Sequence, residues 1–188
     1  MKVDVTTYYL EMTDPQELCA KPLLRQDVDI KQAQVPCPEL NRFLYTAVGG
    51  DWYWIDRLPW TYAQWREWVE QPTLETWIAY VAGTPAGYFE LEAQAEGNVE
   101  LVYFGLLPQF IGTGLGGPLL TVAIERAWHM GASRLWVHTC TLDHPGALAN
   151  YCARGFRLYH EETHPLELPE HSPGPWPGAR PQGSAGTP

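Results

Sequence analysis

Gly112-Thr113-Gly114-Leu115-Gly116-Gly117 is the stretch whose reading decides the fold. Before it, Val99 to Leu107 is apolar and β-rich and ends at Pro108. After it, Leu119, Leu120, Ala123, Ile124, Ala127 and Trp128 recur at helical spacing. Gly131 sits where a glycine would stop that helix, and Arg134 to Cys140 follows as a strand. The unit is strand, glycine loop, helix, strand. Backbone N–H groups gather at the start of the helix, where its dipole is positive, so the turn suits a phosphate.

The rest of the chain limits what such a site can serve. With 188 residues it is long enough for one domain with a real core. Its formal charge of −10 argues against nucleic-acid binding, which needs clustered Lys and Arg. Acidity favours a cationic partner or simply a soluble surface. Cys19, Cys37, Cys140 and Cys152 have no ligand-like spacing, so neither a metal site nor a disulfide framework is expected. The first residues lack the apolar run of a signal peptide, and no stretch approaches membrane-span length. A cytoplasmic setting without membrane contact follows as an expectation.

Residues 1–163 read as one continuous domain. Residues 164–188 are rich in Pro, Gly, Ser and Thr, a composition that reads as a flexible tail. Val5 to Met12 reads as an opening strand, and Pro38 to Val48 as a helix ended by Gly49-Gly50. Thr61 is expected to cap a helix over Tyr62 to Glu70, because Gln64 completes a capping box. Trp77 to Ala82 and Ala86 to Ala93 read as a hairpin, and Phe156 to Glu162 as a last strand. The predicted class is α+β, with mostly antiparallel pairing, one parallel βαβ crossover and flanking helices.

Three phosphate-binding patterns compete for the loop. Gly112-x-Gly114-x-x-Gly117 satisfies the dinucleotide fingerprint, but no acid closes the next strand, which ends in His138-Thr139-Cys140. A nucleoside-triphosphate loop would need a Lys-Ser/Thr pair after the glycines, and there is none. The third pattern is Pro108-x-Phe110-x-Gly112-x-Gly114-Leu115-Gly116, followed later by Ala147-Leu-Ala-Asn-Tyr151-Cys-Ala-Arg-Gly155-Phe156. This resembles the GNAT superfamily of acyl-CoA-dependent N-acetyltransferases over residues 77–160. The family's pyrophosphate signature is Gln/Arg-x-x-Gly-x-Gly/Ala. In the register set by Pro108 its first position is Ile111, whereas Gln109 fits only in a register with a shorter loop.

The resemblance implies acetyl-CoA as co-substrate and no metal. Gly112, Thr113, Gly114, Leu115, Gly116 and Gly117 would hold the pyrophosphate. Strand backbone at Phe104, Gly105 and Leu106, with His144 beyond the second strand, would hold the pantetheine arm between two splayed strands. Gly105 in mid-strand fits close backbone approach, and equally a bulge or a packing need. Asp143 could instead cap the next helix.

Tyr151 matches the tyrosine that protonates the departing sulfur in many relatives; its plainer use is packing a helix face. Two residues compete as base. Glu100 shares a face with Val102, Phe104 and Leu106 by period-two alternation. His138 lies on the second splayed strand, and imidazole titrates near neutral pH. Trp52 and Trp54, in a tryptophan-rich loop, are candidate walls of an acceptor pocket. The expected activity is direct acetyl transfer to a primary amine of a small molecule. Protein lysine or N-terminal acetylation and a non-catalytic acyl-CoA-binding module are the alternatives. The oligomeric state, a homodimer included, is left open.

Overall fold

The computed structural model describes residues 1–174, 176 and 179. Seven strands form one sheet: β1 (Lys2–Met12), β2 (Val28–Gln32), β3 (Leu74–Val81), β4 (Thr84–Ala93), β5 (Asn98–Leu106), β6 (Arg134–Cys140) and β7 (Arg157–Glu167). Their spatial order is β2-β3-β4-β5-β6-β1-β7. Every neighbouring pair is antiparallel except β5 with β6. The helices are α1 (Pro38–Gly49), α2 (Tyr62–Val69), α3 (Gly116–His129) and α4 (Ala147–Ala153). The α+β expectation holds, including its single parallel crossover.

Period-two alternation sends side chains of each strand to two cores. On one face Leu44 and Val48 of α1 pack on Ile78 and Tyr88. On the other, Leu119, Leu120, Ala123, Ile124 and Ala127 of α3 pack on Phe89, Leu91, Leu101 and Leu135. Helix α3 is long because no breaker interrupts its apolar stripe, and it stops before Gly131, whose φ of +86° is left-handed. Helix α2 begins as the sequence predicts. The Thr61 amide donates to Gln64 Oε1 at 2.9 Å, and the Gln64 amide donates back to Thr61 Oγ1 at 3.4 Å.

Three features differ from expectation. Strand β2 went unrecognised because it is a short edge strand with exposed Asp29 and Lys31. Strand β1 does not start the sheet: it lies between β6 and β7, pairing Tyr9 with both His138 and His160. Strand β7 runs to Glu167, so the boundary expected at residue 163 falls inside it; Lys2 of β1 pairs with Glu167. The later part of the expected tail lies partly outside the described residues. Among those described, no helix is long and apolar enough to cross a membrane.

Candidate active site

Strands β5 and β6 begin together and then part. Asn98, Val99 and Glu100 pair with Arg134, Leu135 and Trp136, and the pairing goes no further although both strands continue. A cavity of about 860 Å³ occupies the gap. Backbone on the β6 side of β5 past Glu100 is thereby released from the sheet, as the resemblance implied for Phe104, Gly105 and Leu106, all of which line the cavity.

The glycine loop closes one end. Gly112 and Gly114 have φ of +79° and +83°, a conformation costly for any side chain, and α3 starts at Gly116. Gly112, Gly114, Gly116 and Gly117 line the cavity, together with Ile111, while Gln109 is exposed. Of the two residues that could open the signature, Ile111 and not Gln109 lies at the cavity. The side chain at that position is therefore apolar. The side chains of Thr113 and Leu115 do not line the cavity: Thr113 is exposed and its hydroxyl donates to the Phe110 carbonyl at 2.7 Å, while Leu115 is fully buried in the α3 core, which leaves only their main chain to face the turn. Two basic residues that the sequence did not single out stand beside the loop. Lys21 lines the cavity, and a Cβ added at Gly117 would come within 2.6 Å of the Lys21 side chain and 2.7 Å of Arg154. An anion at the first turn of α3 would meet both amides and cations.

Glu100 and His138 do not compete for one role from separate places: they are neighbours. The pairing register shifts between Glu90 and Leu91, so that Glu90 faces Tyr103 while Leu91 faces Leu101. This bulge at Val102 overturns simple alternation. Glu100 shares its face with Tyr103 and Gly105, and not with Phe104 and Leu106. That face also carries His138, whose Nδ1 lies 3.5 Å from Glu100 Oε1. Gln94 Nε2 donates to the other Glu100 oxygen at 2.8 Å, fixing the carboxylate. Gly105 is explained by packing, since a Cβ there would collide with Val48 of α1.

Tyr151 approaches from the opposite face. It is 5 % exposed, edge-on to Phe104 and Phe156, and lines the cavity. Burial, aided by the Asp143 charge, pushes its phenol well above the ordinary range, so the hydroxyl keeps its proton. Asp143 is not a helix cap. The residue before α4 is Gly146, and Asp143 instead accepts from Thr139 Oγ1 (2.7 Å), the Cys140 amide (3.1 Å) and Trp54 Nε1 (3.2 Å). His144 accepts from the Gly146 amide at 2.9 Å and packs edge-on against Trp52.

Trp52 and Trp54 line the cavity, in a loop where Tyr53 has a φ of +56°. Trp54 packs against Tyr45 and Tyr103 at 5.7 and 4.8 Å between ring centroids. Behind them lies Arg57, a lining residue missed because a lone arginine among tryptophans carries no pattern. Among the described residues no group of His, Cys, Asp and Glu is placed to hold a metal. Cys140 is half-buried at the cavity, whereas Cys152 is exposed and does not serve as a packing residue.

A sheet opened at its one parallel pair, a glycine-led helix start and proton-carrying groups across the gap define the class of acyl-group transferases. The chain belongs to the acetyltransferase (GNAT) family, whose model matches residues 39–156. Solved structures share the fold. A GCN5-related N-acetyltransferase from Kribbella flavida superposes with a TM-score of 0.62 at 22 % identity, covering 92 % of this chain and 60 % of that one. One from Sphaerobacter thermophilus gives 0.65 at 18 %, covering 87 % and 51 %. An aminoglycoside acetyltransferase from an uncultured soil metagenomic sample gives 0.58 at 12 %, covering 70 % and 90 %. The chain thus spans between half and three-fifths of the length of the first two. No curated protein sequence matches it.

Proposed function

We propose that the protein moves an acetyl group from acetyl-CoA directly onto a primary amine, and that the amine belongs to a small molecule. The observation that best supports this is the convergence on one cavity of the opened β5–β6 gap, the Glu100–His138 pair and Tyr151. Acetyl-CoA would supply an activated thioester. The residues suited to hold it are the loop glycines with Lys21 for its phosphates, and β5 from Phe104 to Leu106 for its tether. The unblocked, left-handed turn at Gly112 and Gly114 fits such a ligand.

Transfer to nitrogen requires a free amine. Gln94 holds Glu100, and Glu100 turns the Nδ1 side of His138 toward itself, which leaves Nε2 to accept the amine's proton. Tyr151, kept protonated by burial, holds a proton at its hydroxyl for the departing sulfur. Direct attack is preferred over an acyl-enzyme. Burial and then the Asp143 charge push the Cys140 thiol up, which makes it a poor thiolate. The aromatic walls suit a small acceptor better than a polypeptide. All four cysteines are unpaired, in keeping with a reducing, cytoplasmic setting.

Thiol release from acetyl-CoA, measured over a panel of small amines and lysine-bearing peptides, tests this. Release with small amines is expected, with kcat reduced about 10²-fold in His138→Ala. Release with peptides alone overturns the acceptor class. Binding of acetyl-CoA with no release on any amine would leave an acyl-CoA-binding module.

A further inference from the structure

The transfer chemistry leaves Arg57 without a task, yet its surroundings are built around it. Arg57 is 8 % exposed and lines the cavity. Its guanidinium lies over the rings of Trp68, Trp60 and Tyr103, with centroid distances of 3.9, 4.5 and 4.6 Å. With the faces covered, its chemistry is confined to its N–H edge.

The carboxylate beside it does not satisfy that edge. Arg57 Nη1 is 3.6 Å from Glu90 Oε2, close enough for charge attraction and too far for a hydrogen bond. Both Glu90 oxygens are already taken, Oε1 by Asn41 Nδ2 at 2.9 Å and Oε2 by Trp68 Nε1 at 2.8 Å. Nη1 is buried with no hydrogen-bond partner. A buried, charged donor left unpaired is costly, and the arginine that carries it lines the cavity, so an acceptor entering there can draw its N–H edge into a hydrogen bond.

We propose that Arg57 is the anion-binding residue of the acceptor pocket, and that the acceptor is a compact amino acid whose carboxylate pairs with Arg57 while its amine reaches Glu100 and His138. The inference deepens the transferase reading and rests on it. A planar guanidinium held between rings presents its edge as a fork, which a carboxylate meets with two parallel bonds. Charge points the same way. Arg57 and Glu90 already balance, so a lone anion would leave the buried cluster negative, whereas a zwitterion adds no net charge. The two ends are close. Glu90 opposite Tyr103 marks the arginine end, and Glu92 opposite Glu100 marks the basic end. Only two residues of β4, about 7 Å of strand, separate those positions, so the acceptor need not be long.

The test compares free amino acids with their carboxamides as acceptors for the full chain with acetyl-CoA. Each acid is expected to exceed its amide by about 10- to 100-fold in kcat/KM, the worth of a charge-assisted bidentate pair. Arg57→Lys is expected to raise KM for the acids about tenfold, more than it lowers kcat, and to shrink the acid-to-amide ratio. Equal use of acids and amides by the unaltered protein overturns the inference without needing a variant. So does preference for a phosphorylated amine, or an Arg57→Lys protein that keeps the ratio. Silence with every amine would fail the transferase reading instead. Calorimetric titration of the same acids and amides then decides alone: tighter binding of acids sustains the inference, and equal binding overturns it.

Discussion

The two ends of the cavity are made of different material. At the α3 end the ligand-facing surface is largely main chain, built from Gly112, Gly114, Gly116 and Gly117 and the first turn of one helix, with Lys21 beside it. At the α1–α2 end it is side chain, with Tyr45, Arg57, Trp68 and Tyr103 brought from four separate segments around a buried Arg57–Glu90 pair. Backbone amides offer the same donors whatever the sequence around them, which suits a co-substrate shared by a whole family. Side chains can be exchanged singly, which suits an acceptor that differs from protein to protein.

That contrast can be broken where the two ends meet. Tyr151→Phe should lower kcat by about 10²–10³-fold while leaving the KM of either substrate nearly unchanged, as steady-state kinetics would register. Its melting temperature should stay close to the parent's, because the lost hydroxyl has no hydrogen-bond partner among the described residues. An equal loss in KM would make Tyr151 a wall and not an acid.

The side-chain end should be the less forgiving of the two in stability. Asn41 is 2 % exposed and donates to Thr76 and Glu90 at 2.8 and 2.9 Å. Asn41→Leu leaves a buried carboxylate short of a donor and should cost about 2–3 kcal/mol in urea unfolding. The main-chain end should lose binding instead. A Cβ at Gly114 meets nothing within 4 Å, so Gly114→Ala pays only for its left-handed φ. The cost of about 1–2 kcal/mol should appear as a roughly tenfold rise in KM for acetyl-CoA. The acceptor's KM should not follow.

The smallest effect sharpens the comparison through pH. Burial raises the Glu90 carboxyl against the opposing pull of Arg57, Trp68 and Asn41. The folded protein then holds that proton more tightly than the unfolded chain does. Stability should therefore fall as pH rises from the ordinary glutamate range, about 4.3, toward neutrality. Glu90→Gln should flatten that slope in denaturation series between acid and neutral pH. Alanine at Gly114 should leave it intact.

The same division explains what could be read from the sequence. The glycines, the α3 stripe, the Thr61–Gln64 box and the Tyr151 motif are local patterns, and each lies where its spacing puts it. Glu100 and His138 were found singly, but their adjacency was not, because it depends on a bulge at Val102 and on the one parallel register. Arg57, Glu90 and Asn41 come from a loop, a strand and a helix, and no spacing joins them. Lys21 reaches the glycine loop from a segment with no periodicity at all. The place of β1 was hidden for a related reason: its alternation says strand and says nothing about which partners it takes.

That place has a consequence for how the molecule is made. Strand β1 is synthesised before the other strands of the sheet, yet both of its neighbours come much later, β6 at Arg134–Cys140 and β7 at Arg157–Glu167. Until then both its edges are unpaired, and one half of the sheet must wait until the last strand, β7, has been made. Residues 38–129, with helices α1, α2 and α3 and the glycine turn, can meanwhile assemble from closer contacts. The cleft itself closes on its β6 side only once β6 is held between β5 and the much older β1.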